Sequence, residues 1–242
     1  MRLDLATWKE VDDYLKKSDG IIIPTGSTEQ HGPMGLIGTD AFCAENIANA
    51  AGEKIGVYVA PTLAYTPAPF NMSFPGTISI SSSLFQSLVS EIISSLSHHG
   101  FKKIYFLNGH GANLKSLRKV SNTFHNINIR IKSWWDFESV NALRQDNFGD
   151  WEGMHATPSE ISITQATHRV LDPGEAVNQP KKISLSFMEK HAEDRHGPPE
   201  EHRKQFPDGR VGSHSALANS KVGRHLIDAA VTALNKDYLT MK

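Results

Sequence analysis

Cysteine is nearly absent from this sequence: Cys43 stands alone among 242 residues. No disulfide can form within the chain, and a zinc site built from thiolates is excluded. A reducing, cytoplasmic setting is the simplest expectation. Long apolar runs are absent as well. Stretches such as Gly20–Ile23 fall far short of the roughly 20 residues that span a bilayer. The opening Met-Arg-Leu-Asp-Leu-Ala-Thr-Trp-Lys-Glu is too polar for a secretory signal. Nor is there an excess of charge of either sign. With 25 Lys and Arg against 26 Asp and Glu, no whole-molecule field draws in nucleic acid or an anionic membrane. Small neutral or zwitterionic ligands suit that balance better.

What is present is a chain that is 39% hydrophobic and long enough to bury one substantial core, so a single domain over residues 1–242 is expected. Apolar residues at helical spacing (Leu5, Trp8, Val11, Leu15) mark a helix over 5–17, and a short buried strand follows at Gly20–Pro24. A helix over 41–54 and a strand over 57–60 come next. The stretch from Pro61 to Pro75 also holds Pro67 and Pro69, which argues against helix or central strand there. The pattern then repeats, with helix 83–98 stopped by Gly100, strand 103–107, a glycine-rich turn, helix 114–124 and strand 127–134. Strands alternating with helices imply right-handed crossovers and an α/β fold, a mainly parallel sheet with helices on both faces. Further on, the spacing predicts a helix over 161–168 and a closing amphipathic helix over 220–239. The polar stretch 189–209 between them reads as a surface loop or oligomer contact.

Twelve histidines are the compositional oddity, because histidine is the commonest metal ligand and the usual acid–base group near neutral pH. His98, His99, His125 and His191 have polar neighbours and read as surface residues. In an open α/β sheet, ligands bind where loops leave the carboxyl ends of strands. One such loop, Thr25 to Asp40, follows the first strand. Its Glu29 and His31 are two residues apart, so on an extended backbone both point the same way, and Asp40 after a glycine-rich turn starts the next helix. Helix capping by Asp40 and surface roles for the other two are the bland alternative. The second loop, Asn108-Gly-His-Gly-Ala-Asn113, sets His110 between glycines at the sheet's carboxyl edge. Carboxylates and imidazoles converging in one cleft point to a metal site, against the alternative of a single buried, hydrogen-bonded histidine. A third segment brackets a proline turn with His155 and Glu160, where capping of the following helix competes with metal binding.

Five ordered motifs carry a resemblance. Gly26-Ser-Thr-Glu-Gln-His-Gly-Pro, Gly38-Thr-Asp40, Phe74-Pro-Gly-Thr77, Asn108-Gly-His-Gly-Ala-Asn113 and His155-Ala-Thr-Pro-Ser-Glu-Ile-Ser162 resemble the creatininase (creatinine amidohydrolase) family over roughly residues 5 to 170. The resemblance implies a creatininase-like fold, a homo-oligomer such as a hexamer, and two divalent ions per subunit, either zinc, manganese or iron. By position, Glu29, Asp40 and His110 match ligands of one ion. His31 and a bridging Asp40 match those of the other, which Glu160 completes. His155 matches a proton shuttle, with Glu160 beside it in the catalytic set. Trp151 and Glu152 fall where the family holds substrate, and Phe70 and Ser73 are further candidate contacts, Phe70 either stacking on a planar ring or serving as core.

The chain departs from creatininase itself at two places. A Tyr-Glu pair whose glutamate binds metal is replaced here by Gly111 and Ala112, and Thr157-Pro158 replaces a Gly-containing turn. Creatinine is therefore not the expected substrate. The implied activity is hydrolysis of a C–N amide bond in a cyclic amide, formamide or related small molecule by a metal-activated hydroxide. A formamidopyrimidine-type deformylase and a peptide-trimming hydrolase are alternatives within the family, and a non-catalytic metal-binding protein is one outside it. A nucleotide-binding Rossmann protein is disfavoured, because the loop after Ile23 lacks Gly-x-Gly-x-x-Gly.

Overall fold

Four strands make one sheet in the computed structural model, which describes residues 1–241. They are β1 (Gly20–Thr25), β2 (Tyr58–Val59), β3 (Lys103–Asn108) and β4 (Asn128–Ser133), in the order β2-β1-β3-β4 with every pair parallel. The helices are α1 (Trp8–Leu15), α2 (Thr39–Ile55), α3 (Ser82–His98), α4 (Asn113–Ser121), α5 (Glu138–Phe148), α6 (Pro158–Thr167), α7 (Leu185–His191), α8 (Pro199–Gln205) and α9 (Ser220–Leu239).

Side chains alternate across a strand, and here both sides are apolar because both faces are covered. Ile21, Ile23, Ile104 and Phe106 meet Phe85, Val89 and Ile93 of α3 and Leu117 and Val120 of α4. Ile22, Tyr105 and Leu107 turn the other way, onto Ile47, Ala48 and Ala51 of α2 and Leu226, Ala230 and Leu234 of α9. The β1–β3 register pairs Thr25 with Asn108. The loops that follow these two strands therefore leave the sheet side by side.

Three elements differ from the sequence expectation. Helix α1 begins only at Trp8, behind a Thr7–Glu10 capping box, and Leu5 lies in a separate 3-10 turn. That shift turns Leu5 and Trp8 outward, 76% and 75% exposed, while Val11, Tyr14 and Leu15 pack on the core. Helix α5 had no periodic signal, since only Val140 and Phe148 of its residues are buried. The polar stretch 189–209 is not a plain surface loop. It carries α8, buries His202 and Phe206, and lays Asp194 against the loop after β3. Few apolar residues were needed for that, because its packing is aromatic and imidazole contact, as in His196 to His202 at 4.7 Å.

Burial separates the apolar positions of α1 from those of α2. Ile47→Ala, at a fully buried site, is expected to cost about 2–5 kcal/mol of stability. Trp8→Ala should change it by less than about 0.5 kcal/mol. Urea unfolding midpoints for the two variants check both values, and comparable losses would contradict the packing described.

Candidate metal centre

Close backbone approach builds the centre. Gly26 and Gly109 stand just past β1 and β3, where a Cβ would lie 2.3 Å from the Ala41 amide nitrogen and 2.3 Å from the Asp40 carbonyl oxygen respectively. Their bareness lets the first turn of α2 press between the two strand ends. Asp40 enters the centre there and does not cap its helix, since Gly38 is the N-cap residue. One carboxylate oxygen, Oδ1, lies 2.9 Å from His31 Nε2, and the other, Oδ2, lies 2.9 Å from His110 Nδ1. Ser27 Oγ donates to Oδ2 at 2.9 Å.

Glu29 is fully buried, and Asn71 Nδ2 donates to its Oε2 at 2.9 Å. Its Oε1 has no hydrogen-bond partner and lies 3.2 Å from His110 Nδ1 and 3.7 Å from His155 Nδ1. Glu160 plays two parts at once. It closes a capping box, accepting from the Thr157 amide at 2.5 Å, and the same Oε1 lies 3.7 Å from His31 Nε2. Capping and site membership are thus compatible at this residue.

The imidazoles are oriented from behind. His31 Nδ1 sits 3.1 Å from the Glu29 carbonyl, His110 Nε2 2.9 Å from that of Pro67, and His155 Nε2 2.7 Å from that of Gln30. Only an N–H can serve a carbonyl oxygen, so the opposite nitrogen of each ring faces the carboxylates. Histidines that bind metals are typically held this way. Ligand atoms fall within 4.8 Å of one another in three sets: Glu29, Asp40 and His110; His31, Asp40 and Glu160; and Glu29, His31 and His155. The unpartnered Glu29 Oε1 and this buried set of oxygen and imidazole donors fit a divalent cation.

The electrostatics agree. Burial works against ionisation of His31 and His110, but Asp40 and Glu29 outweigh it, pushing His31 up to about 10 and His110 well above its ordinary value. Burial likewise opposes charge on Asp40 and Glu29, yet the imidazoles keep both pKa values below normal. Burial and the neighbouring His31 bring His155 down to about 4, and burial takes Glu160 up to about 8. A ligating imidazole must give up its second proton. Metal uptake at pH 7 should therefore release at least about one proton per ion. Calorimetric heats compared across buffers of different ionisation enthalpy measure this, and zero release would contradict the assignment.

A cavity of about 260 Å³ opens onto the centre, lined by Asp40, His110, His155 and Glu160 together with Trp134, Trp135, Arg144 and Asp194. Four residues expected at the substrate do not line it. Phe70 is 2% exposed and packs on His196 and His202 at 4.7 and 5.2 Å. The Ser73 carbonyl accepts from Arg203. Trp151 lies under Lys182 at 4.5 Å. Glu152 is buried and accepts from Arg144 Nε at 3.0 Å and from the Ser159 hydroxyl. The aromatic wall is Trp134 and Trp135, directly beyond β4, where the strand-end rule applied to a third strand finds them. Asp194 gave no local signal.

Fold and site together define the class: an α/β protein with a buried oxygen and imidazole cage for a divalent cation at the carboxyl edge of its sheet. The chain belongs to the creatininase family, since the family model described as creatinine amidohydrolase matches residues 4–237. It is 27% identical to creatinine amidohydrolase of Pseudomonas putida over 183 residues, 67% of this chain and 70% of that one. It is 37% identical over 106 residues to 3-dehydro-scyllo-inosose hydrolase of Thermotoga maritima, 43% of this chain but only 34% of the relative's length. Mycofactocin precursor peptide peptidase of Mycolicibacterium smegmatis is 37% identical over 103 residues, 40% of this chain and 41% of that one. A crystal structure of creatininase superposes with a TM-score of 0.80 at 22% identity, covering 98% of this chain and 95% of that one. Among the described residues, no helix is long and apolar enough to cross a membrane.

Proposed function

We propose that this chain is a metal-dependent amidohydrolase that cleaves a C–N amide bond of a small molecule, using two divalent ions that share Asp40. The observation that carries the reading is the division of the Asp40 carboxylate, one oxygen to each imidazole at 2.9 Å. Glu29 and His110 would hold one ion with Asp40, and His31 and Glu160 the other. Zinc, manganese and iron all accept such oxygen and imidazole donors. Bound there, the ions would bring the pKa of water toward 7 and polarise an amide carbonyl.

The chain's own residues supply the rest. His155 donates its Nε2–H to the Gln30 carbonyl, turns Nδ1 toward Glu29 and lines the cavity, so that it would take a proton and return it to a leaving nitrogen. Trp134 and Trp135 offer flat walls to a planar group. Arg144, held by Glu152, brings a guanidinium to the cavity lining. A cavity of about 260 Å³ favours a small amide over a long peptide, given that drug-sized ligands occupy roughly 300–1,000 Å³. Creatinine itself remains disfavoured, because Gly111 and Ala112 stand where creatininase carries its Tyr-Glu pair. A cytoplasmic homo-oligomer completes the reading, with Leu84 and Leu185 as exposed apolar side chains for subunit contacts.

A panel of cyclic amides and formamides, offered to metal-loaded protein, tests the activity. Hydrolysis of at least one member is expected, and none at all would favour a metal-binding protein without catalysis. On a cleaved substrate, His155→Gln should retain metal and lose about 10²–10⁴-fold in kcat. An unchanged rate would remove His155 from the chemistry.

A further inference from the structure

The segment joining α7 to α8 delivers a carboxylate to the centre from outside the sheet. Asp194 Oδ2 accepts from the Ala112 amide at 2.9 Å and lies 3.7 Å from His110 Nδ1, a separation close to the 3.2 Å between His110 and Glu29. Its other oxygen is 3.9 Å from His196 Nε2, a buried atom with no hydrogen-bond partner. Room for it exists only because residue 111 is glycine. A Cβ at Gly111 would stand 2.4 Å from Asp194 Oδ2. The backbone is bent to reach this place, with Glu193 and Asp194 both left-handed at φ 59° and 54°. Such conformations persist where the surroundings impose them, and they cluster at functional sites.

The subsite that receives this carboxylate is short of donors. Glu29, Asp40 and His110 converge with three ligand atoms within 4.8 Å of one another, whereas a cation of this kind takes four or more, and Asp194 approaches this set through His110. The buried, unpartnered Glu29 Oε1 lies against the same His110 nitrogen, at 3.2 Å. We propose that Asp194 belongs to the metal centre: it supplies a carboxylate to the open side of the Glu29–Asp40–His110 subsite and so raises that subsite's affinity for its ion. The proposal rests on the two-ion reading of the preceding section. A simpler role, accepting the amide hydrogen bond where α4 begins, needs neither a bare residue 111 nor a carboxylate turned toward His110. Asparagine at 194 keeps a carbonyl acceptor for that amide and removes only the charge, which separates the two roles.

Calorimetric titration of the metal-stripped full chain with manganese(II) tests it without any substrate. Wild type should bind about two ions per chain. Asp194→Asn should weaken one of them by at least roughly 10- to 100-fold, the loss that removing even an outer partner of a metal site brings, and leave the other unchanged. Gly111→Ala, whose methyl would displace the same carboxylate, should give the same loss. The double variant should be no worse than either single one, because both remove one interaction. Arg118→Gln, which cuts only the exposed Glu193–Arg118 pair, should bind both ions as wild type does. Full affinity in Asp194→Asn, additive losses in the double variant, or an equal loss in Arg118→Gln would overturn the proposal while the centre stands. A wild type that binds no manganese(II) would instead sink the two-ion reading on which it rests.

Discussion

The carboxylate of Asp40, divided between His31 and His110, is the contact on which the rest of the centre depends. It joins the two loops that leave adjacent strands after the Thr25–Asn108 pairing, beside the Glu29–His110 contact at 3.2 Å and the Asn113 amide's hydrogen bond to the Gly26 carbonyl. Its position is a backbone property before it is a side-chain one. The first turn of α2 reaches the strand ends because Gly26 and Gly109 carry no Cβ, and the partial positive charge at the start of a helix favours a carboxylate there. Once Asp40 is in place, the imidazoles are drawn to it electrostatically and held from behind by the carbonyls of Glu29 and Pro67.

Much of this was legible in the chain itself. The alternation of apolar strands and helices carries the α/β fold, because a parallel sheet covered on both faces leaves near-continuous apolar runs such as Ile21–Ile23 and Ile104–Leu107. Glu29, His31 and His110 come together because they lie in the loops that follow β1 and β3, and Asp40 joins them because it opens the helix that ends the first of those loops. Glu160 was ambiguous for a physical reason, since one carboxylate oxygen serves the Thr157 amide and also faces His31.

Other features were hidden for equally definite reasons. Helix α5 buries too little apolar surface to show a period. Trp151 falls, by resemblance, where the family holds substrate, yet its ring lies under Lys182 and does not line the cavity, while Trp134 and Trp135 stand at the wall. Asp194 lies in a polar stretch with no helical or strand pattern, and its relation to His110 is purely tertiary. That stretch brings aromatic and imidazole rings of its own, His196 and His202 against Phe70, so it packs over the strand ends without the apolar content that periodicity detects.

Anomalous diffraction from crystals grown with manganese or zinc tests the shared-carboxylate centre most directly. Two peaks about 3.5–4 Å apart, one on each side of the Asp40 carboxylate, are the predicted result. A single peak remote from Asp40, or none among Glu29, His31, His110 and Glu160, would contradict it.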